Sequence, residues 1–182
     1  MTEPKSTEIN LQEKEANKLY AARKYQQASN TYSQVAAHYL AQGHKVRAAE
    51  MRNNQCVALL QAKHPGDALT AVKGTALIFE AAEDKLNQAV AYANEATALK
   101  DLGKKPEAME MFTQAAELFR QMDESEMHLE VMQSISALKL RSRNVIGALY
   151  SMQEGLKQVE KPNLRQKLFL KLLKIPQDLM EK

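Results

Sequence analysis

Tryptophan is absent from this 182-residue chain, cysteine occurs once, and there are only six glycines and five prolines. A single cysteine, Cys56, excludes an internal disulfide and any cysteine-based metal site. Scarce glycine and proline, and the lack of alternating runs of Val, Ile and Thr, leave no segment that reads as a strand. A formal charge of +3 is mild for this length, and no strip of Lys and Arg with interleaved aromatics marks a nucleic-acid surface. The opening Met1-Thr2-Glu3-Pro4-Lys5 has no apolar run, so no ordinary secretory signal is expected. No stretch approaches the roughly 20 apolar residues that span a bilayer. A soluble, cytoplasmic protein is the expectation. What the chain does have is Ala, Leu, Glu, Lys, Gln and Met, the residues that lose least entropy in a helix. The expected class is all-α.

A period of forty residues organises the chain. Ala28, Ala68, Ala108 and Ala148 stand forty apart, and four residues after each comes a larger apolar side chain: Tyr32, Val72, Phe112, Met152. Seven further on lie Tyr39, Phe79, Phe119 and Val159. Twelve residues before each alanine the side chain is small: Ala16, Cys56, Ala96, Ser136. Three beyond that come Leu19, Leu59 and Leu99, with Lys139 breaking the column and Leu138 and Leu140 expected to take over its packing. Small residues let two antiparallel helices approach, and larger ones at helical spacing fill the space between successive pairs. Polar segments such as Lys63-His64-Pro65-Gly66 read as turns, with proline suited to a helix's first turn. The pattern predicts helices near 6–22, 25–41, 45–62, 66–81, 85–102, 106–121, 125–142 and 145–160.

Small residue, twelve steps, alanine, then a bulky residue four later resembles the core of the tetratricopeptide repeat, over roughly residues 9 to 160. The third copy carries it best, with Ala96, Leu99, Gly103, Ala108, Phe112 and Ala115 in register. The long period is similar to the extended repeats of Pins-type spindle adaptors and, less closely, to the SNAP membrane-fusion adaptors. One departure stands out: Glu15, Gln55 and Glu95 precede the small residue where the family usually has leucine. The resemblance implies a right-handed α-solenoid of about four antiparallel helix pairs. Residues 1–8 would be a flexible segment, 9–160 four repeats, and 161–182 a C-terminal helix capping the last one, with Leu164, Leu168, Leu172 and Ile175 on its apolar face.

Chemistry needs a nucleophile beside a base, paired carboxylates or clustered ligands. The four histidines fall at unrelated points of the repeat, Cys56 sits in a packing column, and no phosphate-cradling loop is present. No catalytic, cofactor-binding or metal-binding residue is expected, and no enzyme. In tetratricopeptide arrays the first helix of each pair lines the concave groove. There Asn54 and Asn94 stand one repeat apart, with Asn53, Gln133 and Asn17 nearby. An asparagine offers two donors and an acceptor on a short stem, which suits the backbone of an extended peptide. Relatives that grip acidic tails need a lysine where Glu13 stands and cations where Val90 and Asn94 stand, so that role is not expected.

The expected function is therefore that of an adaptor or scaffold holding a partner peptide in its groove. The partner is a protein or peptide. Nucleic acid and membrane are not expected partners, and the chain should be a monomer or small oligomer. Two alternatives stand beside this. One is a self-assembling structural repeat protein. The other is a membrane-surface adaptor that uses the basic tail with Lys161, Arg165, Lys167, Lys171 and Lys174.

Overall fold

The computed structural model describes residues 6–159 and 161–172. Among the described residues there are ten helices and no strand: α1 (Ser6–Ala21), α2 (Tyr25–Ala41), α3 (Lys45–Gln61), α4 (Pro65–Val72), α5 (Thr75–Ala81), α6 (Lys85–Asp101), α7 (Lys105–Gln121), α8 (Ser125–Arg141), α9 (Val145–Lys157) and α10 (Leu164–Leu172). The chain forms two compact units that meet in sequence between Lys104 and Lys105. In the first, α2 packs on α1 and α3, and α6 packs on α4, α5 and α3. In the second, α8 packs between α7 and α9, and α10 touches α9. The expected all-α class of consecutive antiparallel helices holds within each unit.

The seven turns that follow α1, α2, α3, α5, α6, α7 and α8 are built the same way, on a half-period of twenty. Arg23, Gly43, Lys63, Glu83, Gly103, Asp123 and Arg143 all have positive φ. The residue after each donates its backbone N–H to a carbonyl five residues earlier, as Lys24 does to Leu19 and Glu124 to Phe119. This left-handed C-terminal cap satisfies carbonyls that the helix end would leave unpaired. It also fixes a helix-plus-turn length of twenty, and so the repeat of forty.

The packing columns occupy the core as their residue types require. Ala16, Cys56 and Ala96 are each 0% exposed, and Ala28, Ala68, Ala108 and Ala148 are buried beside them. In the fourth repeat Ser136 keeps the small size and donates to the Ala148 carbonyl at 2.8 Å. Leu138 is buried, but Leu140 is half exposed and does not replace the broken leucine column. Lys139 instead lays its stem along the helices and bonds Ser151 Oγ at 2.8 Å. Its ammonium is desolvated there, which lowers its pKa.

The helix expected over 66–81 is broken. Lys73 leaves helical geometry at ψ 124, and Gly74 has φ 80. Arg52 points its guanidinium at the Thr70 and Lys73 carbonyls freed by the break, 3.4 Å from each. The last helix of the fourth pair also stops early, at Lys157, so Val159 lies beyond it. Leu172 lies on α10 and Ile175 beyond the described residues; of the expected cap face, Leu164 (83% exposed) and Leu168 (59%) look outward.

Candidate peptide-binding face of the first helices

The exposed side of α3 is a stripe at helical spacing: Arg47, Glu50, Asn54, Val57 and Gln61. Forty residues on, α6 repeats it as Asn87, Val90, Asn94, Thr97 and Asp101. Asn54 and Asn94 therefore occupy equivalent positions on two helices of the same unit. Asn54 is exposed. Asn94 is half-buried, and its amide nitrogen is enclosed without a hydrogen-bond partner. Asn17 is exposed on α1 and accepts a 2.6 Å hydrogen bond from the Tyr32 hydroxyl, whose pKa burial raises.

Two of the five expected residues stand elsewhere. Asn53 is buried, and its carbonyl oxygen lies 3.0 Å from Thr75 Oγ1. Its amide is committed to the bend between α4 and α5, not free for a peptide. Gln133 is exposed on α8 in the second unit, where it lines a cavity of about 220 Å³ with Met152, Leu156, Arg165 and Gln166.

The sequence pattern gave no hint of the charged cluster at one end of the α3 stripe. Arg47 pairs with Glu13 of α1 at 2.8 Å and also with Glu50. Its guanidinium lies 5.2 Å from the centre of the Tyr39 ring, and the Tyr39 hydroxyl donates to Glu13 at 3.0 Å. The hydrogen bond to Tyr39 is the largest of the causes that raise the Arg47 pKa. Glu13 and Arg47 are thirty-four residues apart, so neither the helix period nor the forty-residue repeat signals the pair. Of the three residues that depart from the leucine position, Glu15 is exposed while Gln55 and Glu95 are half-buried. Burial raises the Glu95 pKa, and Lys73 partly offsets this.

Among the described residues no group of three or more His, Cys, Asp or Glu side chains gathers as a metal site. The face offers hydrogen-bonding amides, one ion-paired cluster and apolar interruptions at Val57 and Val90. A family model of the soluble NSF attachment protein, SNAP, matches residues 6–168, which takes in every repeat. The chain belongs to the SNAP family. No individually curated protein matches it.

SNAP membership sharpens two expectations. The extended period looked nearer to Pins-type adaptors, yet the match is to SNAP; a repeat length of forty does not by itself separate the two. The expectation against a membrane partner finds no support, because the SNAP family is membrane-associated. Among the described residues no helix is long and apolar enough to cross a membrane.

Proposed function

We propose that this SNAP-family chain is a non-enzymatic adaptor that attaches one protein to another by binding. The observation that carries the proposal is the family match across 6–168. The finer proposal is that the stripe of α3 and α6 holds an extended segment of the partner. Asn54 and Asn94 meet its backbone, and Asn17 assists from α1. Support comes from their equivalent positions and from the unpartnered amide nitrogen of Asn94, which a peptide carbonyl would satisfy after a small side-chain rotation. The experiment is calorimetric titration of a captured partner against wild type and the Asn54→Ala/Asn94→Ala double variant. Each lost hydrogen bond should cost about 0.5–1.5 kcal/mol, so the pair should weaken binding roughly tenfold. Unchanged affinity would rule the stripe out as the contact.

A second proposal rests on α10. Leu164 and Leu168 are uncovered while Lys161, Arg165, Lys167 and Lys171 are exposed around them. A basic helix with outward leucines suits an anionic membrane surface. Flotation with phosphatidylserine vesicles, at low and high salt, tests it. Removal of 161–182 should abolish salt-sensitive flotation if α10 is the anchor, and leave it intact if it is not.

A further inference from the structure

Each unit contains a groove of the same construction. In the first, α3 forms the floor between α2 and α5, around a cavity of about 280 Å³. In the second, α8 forms the floor between α7 and α9, and the cavity is about 480 Å³. Two repeats, or eighty residues, relate the two linings. Across that step Ala37 becomes Glu117, Leu40 becomes Arg120, Ala48 becomes His128 and Ile78 becomes Gln158. Polar and apolar positions have changed places on the same backbone plan: Arg52 and Gln55 on the floor of the first groove give way to Met132 and Ile135, while its apolar positions give way to Glu117, Arg120, His128 and Gln158.

Folding does not account for the exchange. His128 is only 4% exposed, and its Nδ1 is enclosed with no hydrogen-bond partner. Gln158 Oε1 is enclosed in the same way. A buried polar atom left unpaired is destabilising, so a lining that orphans two of them suggests that something else completes it. At the other end of the floor Lys139 donates to the fully buried Ser151. The two carboxylates lining the groove are already engaged: Glu117 by Arg120 at 2.6 Å, Glu154 by Lys157 at 2.5 Å. Among the described residues Lys139 has no ion-pair partner.

His128, Met132, Ile135 and Lys139 follow one another along a single face of α8. Eleven residues of helix separate the first from the last by about 16 Å. One small molecule does not reach both ends, but a stretch of about five extended residues does. We propose that the groove over α8 binds a short acidic–apolar segment of a protein partner. The segment hydrogen-bonds to His128 and Gln158, seats apolar side chains on Met132 and Ile135, and brings a carboxylate to Lys139. This surface belongs to the second unit and is separate from the α3 and α6 stripe.

An array of immobilised hexapeptides tests the proposal: five apolar residues followed by Glu, Gln or Lys, presented to the full chain. Glu-ended members should retain the protein at least tenfold better than Lys-ended ones. Lys139→Met keeps the stem and removes the charge, and should erase that preference. His128→Ala installs the residue that the sister groove carries at Ala48, and should lower retention of all members at least threefold. Asn54→Ala/Asn94→Ala should change nothing here, which separates this site from the stripe. The proposal is overturned if no acidic–apolar hexapeptide is retained, or if both groove variants retain them as wild type does. Circular dichroism of each variant establishes that a loss is not unfolding.

Discussion

Thr75 Oγ1 stands 3.0 Å from Asn53 Oδ1 and 2.7 Å from the Val72 carbonyl, so α3 holds the first residue of α5 at the point where the second repeat's helix breaks. Both side chains are buried. Next along the chain, Asn54 is exposed.

Those two neighbouring asparagines should therefore respond differently to alanine. Asn53→Ala removes a buried acceptor and leaves a cavity beside the break, and should cost about 1–3 kcal/mol. Asn54→Ala should stay within about 0.5 kcal/mol of wild type. Urea denaturation of both variants checks the contrast. Equal effects would mean that Asn53 does not secure the bend.

The two faces were legible in part. Asn53 stands three residues before Cys56, on the helix face that carries the small-residue column, and that spacing alone argues for burial. Its identity as an amide obscured the point, since a buried asparagine needs a partner that only the fold supplies. The break at Gly74 carried a weaker signal: one glycine in a helical pattern lowers helix propensity by about 1 kcal/mol, which packing routinely overrides. Boundaries of the helices that end in the shared cap were legible to within a few residues because that cap recurs at a fixed interval. The exchange of polar and apolar positions in the groove over α8 was not. Its residues come from three helices and stand out only when set against their counterparts eighty residues earlier.

Glycines within helices separate space from propensity. An added Cβ at Gly66 meets nothing within 4 Å, whereas at Gly155 it would lie 2.8 Å from Met132 Cβ and 3.4 Å from the Leu129 backbone. Gly66→Ala should stabilise by about 0.4–1 kcal/mol through the unfolded chain. Gly155→Ala should destabilise by about 1–3 kcal/mol, because α9 cannot move off α8 without loosening the core. Thermal melts of both variants would show opposite shifts. A gain at Gly155 would mean that the two helices separate freely.

The caps make a matched pair of backbone tests. Lys63 holds φ 65 with a side chain, while Gly103 holds φ 77 without one and has open space around it. Left-handed geometry costs an L-residue about 1–2 kcal/mol, and glycine's extra chain entropy offsets about 0.5–1 of that. Lys63→Gly should stabilise by about 0.5–1 kcal/mol, and Gly103→Ala should destabilise by about 1 kcal/mol. Denaturation midpoints that move the other way would mean that side-chain contacts, not φ, set the strength of these turns.

Cys56 links burial to the alkaline limit of stability. Its side chain is fully buried in the cluster with Leu59, Ala68, Ala71 and Val72. Burial first, and Glu95 second, push the thiol up to about 12. An unfolded cysteine titrates at about 8.5. Below that value both states keep the proton and the site contributes no pH dependence. Between about 8.5 and the native value the unfolded chain loses its proton while the folded chain retains it, so stability must fall as pH rises. The slope from this one group approaches about 1.4 kcal/mol per pH unit once the unfolded thiol is fully ionised. Cys56→Ala places at this position the residue that Ala16 and Ala96 already are, and should fold with a flatter decline between pH 9 and 11 than wild type. In the same window a thiol reagent should modify the native chain far more slowly than the chain in denaturant, because the thiolate is the reacting form. Parallel pH profiles for wild type and Cys56→Ala, together with equal modification rates folded and unfolded, would place the thiol in contact with water and dismantle the helix contact that the small-residue column describes.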